Sequence, residues 1–191
     1  IFRSLIGFLQ NAVLHQNISF GLNSALNNSV GLWIIAIVPI GLLLATLIVR
    51  YGAQEAKGHG VPEVMEAVLT KGGVIRKRIS AIKALASSLT IAVGGSVGRE
   101  GPIVQIGSSI GSSIGQIFSL SGRDLNLLVA CGAAGAVAAT FNTPISGVVF
   151  AIELILFELK SVSLMPLVIS SVFATIISRV HLGNILAFEV P

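Results

Sequence analysis

Gly98-Arg99-Glu100-Gly101-Pro102 sets two opposite charges between two apolar stretches of chain. The stretch before it ends near Val93, and the one after it carries no charge until Arg123. Both read as membrane helices. A carboxylate at membrane depth is costly, so one that occurs there is a functional candidate by default. Proline suits a first helical turn, where its missing N–H would have had no partner. Glu100 therefore stands at a helix start, where free backbone N–H groups and the helix dipole attract anions. An anion-attracting helix end with a tethered carboxylate beside it points to anion passage with a built-in competitor.

The composition agrees with a membrane setting. Hydrophobic residues make up 53% of the 191 and charged residues 10%, against roughly 25% charged in soluble domains. Uncharged runs cover 31–49, 101–122, 125–152 and 161–178. A spanning helix needs about 20 apolar residues, so about six or seven helical segments are expected, with 125–152 split in two. The expected fold is all-α and integral to the membrane, with broken and re-entrant helices, and residues 1–191 read as one piece of a longer transport domain. The net charge of +4 does not signal nucleic acid, because no basic stripe is interleaved with aromatics. The single Cys131 excludes an internal disulfide framework and reads as a small packing residue.

Element by element, 1–15 reads as a helix end and 16–30 as a polar loop. The segment 31–49 is the clearest span, with Pro39 a kink. Residues 61–69 are too short to span. Glu63 and Glu66 fall on one face there, with Val64, Val68 and Leu69 largely opposite, so the segment reads as a re-entrant half-helix. Further helices are expected over 79–93, 102–120, 125–141, 144–158 and 161–180. Placing the Arg50–Lys83 region in the cytoplasm puts Arg50, Lys57, Lys71, Arg76, Lys77, Arg78, Lys83, Arg123 and Lys160 inside, nine of the 12 basic residues. Gly107, Gly111 and Gly115 recur every four residues, as do Ala134 and Ala138 beside Gly135, which suits close helix packing.

Three helix starts share one grammar: Gly58-His59-Gly60-Val61-Pro62, Gly98-Arg99-Glu100-Gly101-Pro102 and Phe141-Asn142-Thr143-Pro144. Glycines permit unwound backbone and close approach by an ion. Broken helices whose positive ends meet near the midplane bind anions with partial charges, and so can also release them. Glu100 has two readings: a cap paired with Arg99, or a gate that fills the anion site when ionised and leaves it when protonated. Arg99 could attract anions or pair with Glu100. His59 could offer an N–H to an anion, titrate near neutral pH, or face cytoplasmic water. His15 and His181 read as interfacial and Glu153 as a structural residue.

These motifs resemble a known family. Gly98–Pro102 with Ile103-Val104-Gln105-Ile106-Gly107 is similar to the second selectivity-filter motif of the CLC chloride channels and transporters. Gly58-His59-Gly60-Val61-Pro62-Glu63 resembles the first filter motif, usually Gly-Ser-Gly-Ile-Pro. The segment 132–153 resembles the helix pair that follows, part of the family's dimer interface. The resemblance implies an inverted-repeat homodimer with one pore per subunit, of which this chain supplies most of the first repeat. The third filter motif and a tyrosine closing the anion site would follow later. Gly58, His59, Gly60, Val61, Pro62, Gly98, Arg99, Glu100, Gly101 and Pro102 would form the anion site, with Glu100 its gate. Chloride would be the substrate, with protons a second one in an antiporter, and no cofactor or metal would be required.

Two departures bear on mechanism. His59 replaces a serine whose hydroxyl binds the central anion in the family. Leu154 stands where many family antiporters carry a second, inward-facing proton glutamate, and Glu153 precedes that position. On this ground a passive chloride channel of the bacterial inner membrane is the leading expectation and a proton-coupled antiporter the alternative. More remote are an intramembrane enzyme, for which no His-Glu-x-x-His motif appears, and a non-transporting helical scaffold.

Overall fold

The structure, a computed structural model, describes residues 2–14, 34–157 and 161–183. These residues form eight α-helices and no strand. In chain order they are α1 (Phe2–Leu14), α2 (Ile34–Gly52), α3 (Val61–Thr70), α4 (Arg78–Ala92), α5 (Glu100–Ile117), α6 (Gly122–Phe141), α7 (Pro144–Ala151) and α8 (Ser161–Leu182). His15, the loop expected over 16–30 and Lys160 lie outside the described residues.

The bundle is organised around α6, which packs against α5, α7 and α8. Its small side chains make this possible: Ala130, Ala133, Ala134 and Ala138 are wholly buried. The glycine repeat of α5 does what its spacing suggests. A Cβ on Gly107 would strike the Gly132 carbonyl, and one on Gly111 the Leu128 carbonyl. The two backbones are in direct contact there, the arrangement by which membrane helices associate when no hydrophobic force separates lipid from protein. The second small-residue face also finds its partners. Gly147 of α7 sits over the Ala134 carbonyl, and Gly135 faces Ser170 of α8. Ser170 and Ser178 donate to the Cys131 and Ala139 carbonyls at 2.7 and 2.8 Å.

By length and composition, α6 and the Val162–His181 part of α8 suffice to cross a bilayer. The half-helix expected over 61–69 is α3, which packs on α5 and buries Val64, Ala67 and Val68. These follow the i, i+3, i+4 stripe of a helix. Leu69 lies one residue off that stripe and is exposed, contrary to the face expected for it. The helix expected over 144–158 is not regular throughout. After Ala151 it widens into a π turn, Ile152–Leu156, and ends at Phe157 with φ 54°.

Candidate anion site

The site is built from two interrupted helices. After α2 the chain makes a single 3₁₀ turn, Gln54–Ala56, and enters Gly58-His59-Gly60. Gly58 and Gly60 adopt φ of 96° and 107°, backbone that side-chain-bearing residues rarely adopt. The chain then turns into α3 with Pro62 in its first turn. The Gly60 N–H donates to Glu63 Oε2 at 2.6 Å, which ties the loop to the helix it starts.

The second interruption lies between α4 and α5. Gly94 has φ 87°, the chain runs on without helix, and α5 begins at Glu100. The two starts meet backbone to backbone. A Cβ on Gly60 would fall on the Gly101 carbonyl, and one on Gly101 on the His59 carbonyl. The glycines at these positions thus allow an approach that any side chain would block. Two helix N-termini converge on one place, each carrying roughly half a positive charge in unpaired N–H groups.

Glu100 is exposed at this junction, and its carboxylate folds back over Gly98, where Oε2 occupies the space a Cβ would take. The pairing with Arg99 is absent. Among the described residues the ion pairs are Lys71 with Glu66 and Arg76 with Glu55, and both Arg99 and Glu100 are exposed. The His59 side chain is exposed as well, while its carbonyl lies against Gly101. Val61 and Pro62 open α3, and Pro102 is buried in the first turn of α5. The third helix start is a different structure. Asn142 is a left-handed cap on α6 whose Oδ1 accepts from Arg179 Nε of α8, so this start is tied to α8. Leu154 is partly buried, and Glu153 continues the exposed line of Ile145 and Val149 at four-residue spacing.

What holds the loops was not read from the sequence. Lys83, expected as a cytoplasmic charge, is 4% exposed. Its Nζ donates to the carbonyls of Ala56 and Gly58 at 3.0 and 2.8 Å. The unwound backbone before α3 has carbonyls that no helix can satisfy, and a buried ammonium with three donors satisfies two of them. One face of α5 completes the scaffold. Gln105 Nε2 donates to the Glu55 carbonyl (3.2 Å), and Ser109 and Ser112 Oγ to those of Arg76 (3.3 Å) and Gly73 (2.6 Å). Gln116 Nε2 donates to the Ile75 carbonyl at 2.9 Å. Their spacing of four, three and four residues is one helical stripe, and it could have been found by the same reasoning that found the glycine repeat beside it.

Residues 41–191 match the family model described as voltage gated chloride channel. The chain belongs to the voltage-gated chloride channel family. Within that family it is 36% identical to a ClcB-like chloride channel protein of Ralstonia nicotianae over 83% of this chain and 38% of that protein. It is 33% identical to the H⁺/Cl⁻ exchange transporter ClcA of Vibrio cholerae over 89% of this chain and 37% of that protein. Its fold superposes on the crystal structure of a slow cyanobacterial Cl⁻/H⁺ antiporter with a TM-score of 0.80 and 25% identity, over 99% of this chain and 44% of the other. The chain thus spans under two-fifths of the length of these two curated relatives. The helical membrane fold of the family is the one observed here.

Proposed function

We propose that the whole protein exchanges chloride for protons across the bacterial inner membrane as a homodimer, with Glu100 as the gate of each pore. The observation that carries this reading is the convergence of the α3 and α5 starts with the Glu100 carboxylate lying against one of them. Partial positive charge in the two sets of N–H groups attracts chloride. Ionised Glu100 competes for the same place. Once protonated it has no charge to satisfy there and yields to the anion. A carboxylate that must gain a proton to leave and lose one to return links proton movement to chloride movement.

Of the two readings opened by Leu154, antiport is better supported than a passive channel. Relatives named as H⁺/Cl⁻ exchangers and an antiporter of the same fold favour it. Leu154 is then a departure that a different inner proton group must make good. The passive channel keeps one observation in its favour, the ClcB-like relative named a chloride channel protein.

The test uses the full-length protein in liposomes, with external chloride and pH recorded together. Uphill proton movement driven by a chloride gradient, abolished by Glu100→Ala, is the expected result. Chloride flux with no proton movement in the wild type would establish the channel instead.

A further inference from the structure

We infer that Glu63 exchanges protons with the cytoplasmic side through a hydrated cavity beneath the anion site. The inference rests on the antiport reading: a proton that reaches Glu100 must enter or leave the inner side by way of water and titratable groups.

A cavity of about 580 Å³ lies between α3, the 3₁₀ turn and the α3–α4 link. The basic residues Lys57, Lys71 and Arg76 line it, and Arg50 joins Arg76 in the adjoining hollow. By the positive-inside rule this is the cytoplasmic end. Three carboxylates share the walls: Glu55, Glu63 and Glu66. Two of them sit exposed and paired, Glu66 with Lys71 at 3.0 Å and Glu55 with Arg76 at 3.7 Å. Glu63 is the half-buried one. Its Oε2 accepts from Gly60 and its Oε1 lies against Gly58, so the carboxylate touches both glycines of the first anion loop while facing the cavity. The charges around it are Lys83 from α4, Lys57 from the loop, Glu66 on its own helix, and Glu55, Lys71 and Arg76 on the walls of the same cavity.

Gln105 belongs to the same wall as Glu63. It lines the same cavity and is 2% exposed. Its Nε2 is committed to the Glu55 carbonyl, but Oε1 is buried with no partner among the described residues. A cavity of about 580 Å³ has room for several waters, each needing about 30 Å³, beside the wall that Gln105 shares with Glu63. Water held there lies along the same wall as the Glu63 carboxylate. Proton uptake then balances simply. An O–H bond of a hydronium ion breaks, one forms on Glu63, and neutral water remains. The reverse transfer hands the proton to water at the anion loop, toward Glu100. Leu154 cannot titrate, and Glu153 is not among the residues lining the cavity.

The experiment measures the proton-to-chloride ratio of the full-length protein in liposomes. Glu63→Gln keeps an acceptor for the Gly60 N–H but cannot carry a proton, and it is expected to lower the ratio at least about tenfold. Gln105→Leu, which makes the wall apolar, is expected to lower the ratio several-fold. A wild-type ratio in Glu63→Gln overturns the inference and leaves antiport standing. A wild type that moves no protons overturns antiport and the inference together. Should Glu63→Gln stop both fluxes, Gln105→Leu decides: a lowered ratio sustains the route, and an unchanged ratio overturns it.

Discussion

The Lys83 ammonium holds the Ala56 and Gly58 carbonyls from inside the bundle, on the segment that leads into the first anion loop. Its charge therefore stands behind the loop and cannot serve as a tight anion ligand at its front. Lys83→Met keeps the length of the side chain and removes the donors. Leaving buried carbonyls unpaired costs about 1–3 kcal/mol, and a loop freed to rearrange misplaces the N–H groups of α3. The expected outcome for the full-length protein is a lower melting temperature and about tenfold weaker chloride binding by calorimetry, since each 1.4 kcal/mol is about tenfold. Unchanged chloride affinity would show that the loop holds its shape without Lys83. Glu100 illustrates the opposite case. Among the described residues no clamp of that kind holds its carboxylate, which folds back into the space that Gly98 leaves open.

At the scale of elements, α5 carries two stripes with two jobs. The glycine stripe lets its backbone touch that of α6, and the polar stripe fastens the link between α3 and α4. Ser112 is the busiest member of the second. Its Oγ donates to the Gly73 carbonyl at 2.6 Å and accepts from the Ile75 N–H at 2.9 Å and from Gln116 at 2.9 Å. Removing the hydroxyl takes this partner from the buried Gly73 carbonyl and Ile75 N–H, so Ser112→Ala is expected to destabilise the protein by about 1–3 kcal/mol. A drop of several degrees in the thermal unfolding of the full-length protein in detergent checks it. The corresponding change at the exposed Ser119 is expected to leave the melting temperature where it was.

Among the described residues, α7 presents an open apolar line. Ile145 and Val149 on α7 are 79% and 51% exposed, one above the other on a single line. The resemblance noted in the sequence puts this helix in the dimer interface, and an isologous contact would bring the same line of each copy together. Ile145→Arg puts a charge into that contact. By light scattering in detergent the full-length wild type is expected to run as a dimer and the variant as a monomer. A dimer of undiminished stability would move the interface elsewhere.

Residue types and their spacing in the chain were enough to make this a helical membrane protein. Uncharged runs demand helices because backbone groups in lipid have no other partners. Gly-x-Gly and Gly-Pro starts mark where those helices break, and Glu100 stands out because a carboxylate there needs a purpose. All of these are local signals, carried by residues close together in sequence. Tertiary structure alone decided which breaks meet: the starts at Gly60 and Gly101 touch, while the one at Asn142 is tied to α8. It also turned Lys83 from a surface charge into a buried clamp, and brought Glu63 and Gln105 to one cavity. Lys83 and Gly58 are 25 positions apart, and Gln105 and Glu55 are 50 apart. Nothing in a helical period connects residues at such distances, because the contact exists only once α4 and α5 have packed and a loop with unpaired carbonyls lies between them.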